Sequence, residues 1–108
     1  MKMNAKILEF RTIALIYPHL SLETKIELED GKIVYANLSV NSKGEKEEYY
    51  EDSFWCYKEP LTQINWNKDV EEYYADLKEE ELVYLHNMLI EFWNKNPKFE
   101  NDFLWKQV

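Results

Sequence analysis

Residues 22–40 read LETKIELEDGKIVYANLSV, and the parity of this stretch decides how the first half of the chain folds. Leu22, Thr24, Ile26 and Leu28 alternate with Glu23, Lys25, Glu27 and Glu29. A period of two with charges on one side only is the pattern of a half-buried strand. Val34, Ala36, Leu38 and Val40 continue the apolar series, again at even positions. A two-residue loop at Asp30-Gly31 would pair position 28 with 33 and set even against odd. A three-residue loop, Glu29-Asp30-Gly31 with Gly31 in the left-handed region, pairs 28 with 32. Ile26 then meets Val34, Thr24 meets Ala36 and Leu22 meets Leu38. This register gathers the apolar side chains on one face and is the one expected.

Working outward, residues 6–17 are rich in Ile, Leu, Phe and Thr and read as a preceding strand. Leu8, Phe10, Thr12, Ala14 and Ile16 are expected to share a face. The second half of this strand is apolar on both faces, which implies a central or covered position. The hairpin strands fall at about 20–29 and 32–40. NSKGEK, with Gly44, is a second turn signal, and a fourth strand follows at about 47–57, ending before Pro60.

No glycine follows Gly44 and no proline stands between Pro60 and Pro97, so the second half reads as helix. Asn67 or Asp69 can cap a short helix at about 68–76. Asp76 and Glu79 fit a capping box for a longer one at about 77–95. Leu82, Leu85, Leu89, Phe92 and Trp93 form its apolar stripe. Val70, Tyr73, Tyr74 and Leu77 form a stripe out of phase with it, which favours a break near Asp76. Phe99, Phe103, Leu104 and Trp105 allow residues 97–108 to dock as a tail. The expected fold is a single α+β domain over residues 1–108. It is a four-stranded antiparallel β-meander followed by a short and a long α-helix packed on one face. Leu22, Ile26, Val34, Leu38, Leu85, Leu89 and Phe92 form its expected core.

The chemistry-bearing residues are sparse. Gly31 and Gly44 are the chain's only glycines and both serve turns, leaving none for a phosphate-cradling loop. His19 and His86 are the only histidines, and Cys56 is the only cysteine, so no zinc-ligand spacing exists. The single cysteine excludes an intramolecular disulfide and fits a reducing, cytoplasmic setting. The first residues, MKMNAKILEFR, have neither a long apolar stretch nor an A-x-A site, so no signal peptide is expected. Paired carboxylates could serve hydrolysis or magnesium. Yet Glu79-Glu80-Glu81 opens a helix, where acids suit the positive end of the dipole. A catalytic role, a cofactor and a metal are therefore not expected.

Charge is the distinctive feature. The net charge is −8, and 13 acidic against 4 basic residues lie between Glu45 and Glu81. All the excess negative charge thus sits in one third of the chain. Within it, EEYYxD occurs at Glu47–Asp52 and again at Glu71–Asp76. The flanks of the two copies do not align and they fall on different elements, so this is composition and not a repeat. Arg11 is the sole arginine and the lysines do not cluster, which disfavours direct nucleic-acid binding. A solvated face is the plain reading of such a block. The sharper one is that carboxylates on a rigid frame imitate phosphate spacing, with tyrosines as anchors. The candidate partner-binding residues are Glu47, Glu48, Tyr49, Tyr50, Glu51, Asp52, Glu71, Glu72, Tyr73 and Asp76. Tyr57, Tyr74, Trp55 and Trp66 are further aromatic candidates.

In size, charge and composition the chain resembles the small acidic inhibitors carried by phages and mobile elements. Anti-CRISPR proteins and the immunity proteins of nuclease toxins belong to this class. The resemblance implies a non-enzymatic inhibitor that occupies the basic groove of a nuclease or CRISPR-type effector. Two other readings stay open. One is a module that binds or sequesters a small molecule or nucleotide between sheet and helices. The other is a structural or assembly protein that forms a homodimer through an edge strand or the long helix.

Overall fold

A computed structural model describes residues 3–16, 19–41, 49–95 and 102–108. Five strands form one antiparallel sheet in the order β4-β3-β2-β1-β5. They are β1 (Ala5–Ile16), β2 (His19–Leu28), β3 (Ile33–Asn41), β4 (Tyr49–Tyr57) and β5 (Asp102–Gln107). One helix, α1 (Glu79–Asn94), packs on the sheet. The α+β class matches the expectation, while the strand and helix counts differ from it.

The β2–β3 hairpin takes the expected register, with Ile26 opposite Val34, Thr24 opposite Ala36 and Leu22 opposite Leu38. Gly31 N–H donates to Leu28 C=O, and Leu28 N–H donates to Lys32 C=O. Gly31 sits at φ +86°, a conformation that costs an L side chain and not glycine. Leu22, Ile26, Val34, Ala36 and Leu38 are buried with Leu85, Leu89 and Trp93 of α1. Those three helix positions lie at i, i+4 and i+8, which is one stripe. Phe92 and Trp93 both belong to the expected stripe, but Trp93 is the buried one, where the expected core named Phe92, which is only partly covered. Its indole Nε1–H donates to Thr24 Oγ1 at 3.0 Å and ties helix to sheet.

Four expectations are corrected. In β1, Ile7 faces Ile26 but Glu9 faces Lys25, so one extra residue, Leu8, is accommodated in a bulge. The bulge reverses parity. Ala5 and Ile7 pack on the helix side before it and Phe10 after it, so Leu8 does not share that face with Phe10. The short helix at 68–76 is replaced by a 3-10 turn, Val70–Tyr73, followed by extended backbone. Asp69 does cap this turn, accepting from Glu71 N–H at 3.1 Å. The turn then stops because the chain pairs elsewhere: Lys58 N–H donates to Tyr73 C=O and Ala75 N–H donates to Cys56 C=O. A helix would have needed those groups internally. The capping box at α1 uses Lys78 and Glu81, not Asp76 and Glu79. Lys78 N–H donates to Glu81 Oε1 at 3.0 Å. The fourth correction is the tail, where Asp102–Gln107 form β5 and pair with β1.

The sheet is covered on both faces. Opposite α1, residues 58–77 leave β4 and return to it as a strap. A second 3-10 turn, Leu61–Gln63, lies in this segment. Ile13, Tyr57, Leu61 and Ile64 form a second buried cluster, with Val70, Tyr73 and Tyr74 packed against it. Of the doubly apolar half of β1, Ile13 is buried in this cluster.

Candidate functional site

The strap is positioned by a buried ion pair. Arg11 on β1 and Glu23 on β2 are direct strand partners. Arg11 Nε donates to Glu23 Oε1 at 2.5 Å, and Leu61 N–H donates to Glu23 Oε2 at 2.7 Å. Arg11 Nη2 also donates to Thr62 Oγ1 at 3.2 Å. The guanidinium lies 4.2 Å from the ring centre of Trp105 on β5, in cation–π geometry. Glu23 has no solvent exposure, and burial raises its carboxyl pKa against the opposing pull of Leu61 N–H and Arg11. Both carboxylate oxygens are engaged, so this centre holds strap, sheet and β5 together and leaves no oxygen for a reaction. Strand alternation placed Glu23 on a solvent face, and the strap is what encloses it. The sole arginine, in a strand whose second half is apolar on both faces, was the available signal.

On the outside of the strap, aromatic rings form a continuous chain. Trp55 meets Tyr74 at 5.0 Å, Tyr74 meets Tyr57 at 5.8 Å, and Tyr57 meets Trp66 at 5.7 Å between ring centres. Burial, with lesser effects from Tyr74 and Cys56, pushes the Tyr57 hydroxyl up to about 12. Tyr57 is thus the neutral base of the chain. Trp66 is 45% exposed, and its Nε1–H donates to Leu61 C=O at 3.2 Å. That bond holds a large ring in water in one orientation. Farther along the strap, Asp69, Glu71 and Glu72 are exposed at the Val70–Tyr73 turn. None of the three has an ion-pair partner among the described residues.

The remaining candidates are distributed along β4. Tyr49, Tyr50, Glu51 and Asp52 lie in its first half. Glu47 and Glu48 fall outside the described residues. The strap rejoins β4 at the Tyr57–Tyr74 bridge. Asp52 and Tyr57 are five positions apart, roughly 16 Å along the strand. Tyr73 is half buried and serves the second cluster. Asp76 is exposed but lines a groove of about 290 Å³ with Lys32 and Lys58, so lysines stand near it. Glu71 and Glu72 lie on the Val70–Tyr73 turn of the strap, and Glu51 and Asp52 lie on β4.

His86 stacks on Phe54 at 4.6 Å between ring centres, packed as a helix-face aromatic. Cys56 is fully buried and burial pushes its thiol up to about 12, which suppresses the reactive thiolate. Among the described residues no three His, Cys, Asp or Glu side chains group to hold a metal ion, and no helix is long and apolar enough to cross a membrane. Comparison with protein-family models, curated proteins and solved structures finds no match to this chain.

Proposed function

We propose that this protein is a non-enzymatic protein-binding inhibitor. Its acidic, aromatic strap occupies the basic nucleic-acid groove of a nuclease or CRISPR-type effector. The observation that supports this reading is the strap's outer surface. Exposed Asp69, Glu71 and Glu72 make no ion pair among the described residues, and the exposed Trp66 ring precedes them on the same strap. Carboxylates without local partners keep their field for an incoming cationic surface, and a pre-oriented tryptophan costs little entropy to bury. The Glu51 and Asp52 end of β4 extends the negative charge along the same strand.

The test is binding to a panel of basic nucleases and RNA-guided effectors at about 50 and 500 mM salt, across which screening increases several-fold. Binding is expected to weaken steeply with salt. Glu71→Lys/Glu72→Lys is expected to weaken it by at least about tenfold, or ~1.4 kcal/mol. Its melting temperature should match or exceed that of the parent, because like-charge repulsion is relieved. Binding that ignores both salt and charge reversal, or the absence of any bound partner in the panel, refutes the proposal.

A further inference from the structure

We propose that the groove where β4 stops short of the start of β3 binds one free aliphatic α-amino acid, held as a zwitterion. The inference is independent of the inhibitor reading, which rests on Glu71 and Glu72. β4 ends at Tyr57, whose partner on β3 is Tyr35. β3 begins two residues earlier, at Ile33. Continued in this register, Ile33 would face Glu59, but Glu59 already lies outside the strand and Pro60 leads into the Leu61–Gln63 turn. The strap comes back at the Tyr57–Tyr74 bridge and at Ala75. It then turns at Leu77, whose N–H donates to Ala75 C=O at 3.0 Å. A groove of about 290 Å³ remains between the start of β3 and the returning strap.

Size, lining and charge define the occupant. The volume falls just below the usual range of about 300–1,000 Å³ for drug-sized ligands, so the occupant is smaller. Val34 is 2% exposed, and Ala75 and Leu77 are partly buried against the main core. An aliphatic side chain laid over these residues displaces water that has little to bond to. Lys58 and Asp76 are exposed on the rim, and neither makes an ion pair among the described residues. Lys32, also on the rim, stands 4.0 Å from Asp30. Lys58 thus offers a cation to a carboxylate, and Asp76 offers an anion to an ammonium. A rim of both signs around an apolar lining complements a zwitterion better than it does a fatty acid or an alkylamine.

The backbone of β3 completes the match. Leu28 N–H donates to Lys32 C=O, and the pairing of β2 with β3 runs from His19 to Glu27 without a register shift. By alternation along this regular ladder, the Ile33 N–H and C=O turn away from β2 and toward the groove. β4 does not reach far enough to take them. An α-amino acid brings the groups that the next strand residue would have supplied. Its carboxylate accepts from Ile33 N–H, and its ammonium donates to Ile33 C=O.

The main chain around the groove is fixed before any ligand arrives. Lys58 N–H donates to Tyr73 C=O at 2.7 Å, and Lys32 N–H donates to Asp30 Oδ1 at 2.9 Å. Ala75 N–H is held by Cys56 C=O at 3.0 Å. Binding therefore orders little beyond the ends of the Lys58 and Asp76 side chains, which keeps its entropic cost small. With one small ligand and exposed charges, the affinity is modest, with a Kd on the order of 1 mM.

Heteronuclear NMR titration of the full chain with L-leucine tests this. The amides of Ile33, Val34, Ala75 and Leu77 should shift saturably. Isovalerate lacks the ammonium, isoamylamine lacks the carboxylate and glycine lacks the side chain, and each should bind at least about fivefold more weakly. Lys58→Met and Asp76→Asn should each weaken leucine binding by about threefold or more. Both residues are exposed, and the unchanged remainder of each variant's spectrum checks that the fold persists. The proposal is overturned if tens of millimolar leucine gives no saturable shift, or if the shifts fall away from the groove. It is equally overturned if isovalerate, isoamylamine or glycine matches leucine, or if binding is indifferent to both substitutions.

Discussion

The junction between α1 and the sheet allows a quantitative test. Trp93 is 1% exposed, and its indole N–H reaches Thr24 Oγ1 at 3.0 Å. Phe10 and Phe92 meet it edge-on at 5.6 and 5.5 Å. Thr24→Val keeps the side-chain shape and removes the acceptor. The indole N–H is then buried without a partner, at a cost of about 1–3 kcal/mol. Trp93→Phe removes the donor and leaves a gap, for about 2–4 kcal/mol once the orphaned Thr24 hydroxyl is included. In the double variant neither polar group is left over, and only the packing loss of about 1.5–3 kcal/mol persists. The two single costs together should therefore exceed the double by about 1.5–4 kcal/mol. Urea unfolding followed by far-UV circular dichroism measures all four proteins. For a chain of this size each kcal/mol moves the melting temperature by about 4 °C. If the costs add within about 0.5 kcal/mol, the hydrogen bond does not couple helix to sheet and the reasoning fails.

Glu23 makes stability depend on pH. Burial raises its carboxyl above the ordinary value of 4.5, so the folded state holds that proton to higher pH than the unfolded chain does. Its contribution is fully present below about pH 4.5 and is lost as pH rises through the folded value. The stability of the parent minus that of Glu23→Gln should decline from pH 4 to pH 8, and the opposite slope would mean that Arg11 and Leu61 outweigh burial. Gly31→Ala should cost about 1–2 kcal/mol through its positive φ alone, because nothing lies within 4 Å of the added Cβ. Gly31→Asn should cost less in the same urea titration, since asparagine tolerates the left-handed region. Cys56 should react with a maleimide more than about a hundredfold slower in the folded protein than in urea, as its thiol is both enclosed and kept protonated.

What was legible in the sequence was whatever neighbours along the chain decide. The parity of Leu22–Val40 and the single glycine of its turn give the hairpin register, and the Leu85–Leu89 spacing gives the helix face. The strap was not legible. Val70, Tyr73 and Tyr74 have helical spacing, but the backbone of Tyr73 and Ala75 is claimed by an edge of β4 that local pattern does not report. The same applies to β5, whose apolar residues signalled docking while its partner strand lies nearly the whole chain away. Glu23 was misplaced because alternation says which side of a strand a residue takes and not what covers that side. At the candidate site, Trp55, Tyr57, Trp66 and Tyr74 were identifiable by type, but their contact in one chain of rings depends on the strap's return.

The pairing of β1 with β5 also has a bearing on biogenesis. Glu9 and Gln107 are partners. At about 5–20 residues per second, a ribosome needs some 5–20 s to make the second after the first. Throughout that interval a long apolar strand waits with one rim vacant, and neighbouring nascent chains can dock on it. Translation that stalls before residue 102 would release a product with Arg11 lacking the Trp105 ring and β1 open to aggregation. Quality-control proteases would meet such fragments as adhesive species, and the final six-residue strand acts as the chain's own stopper.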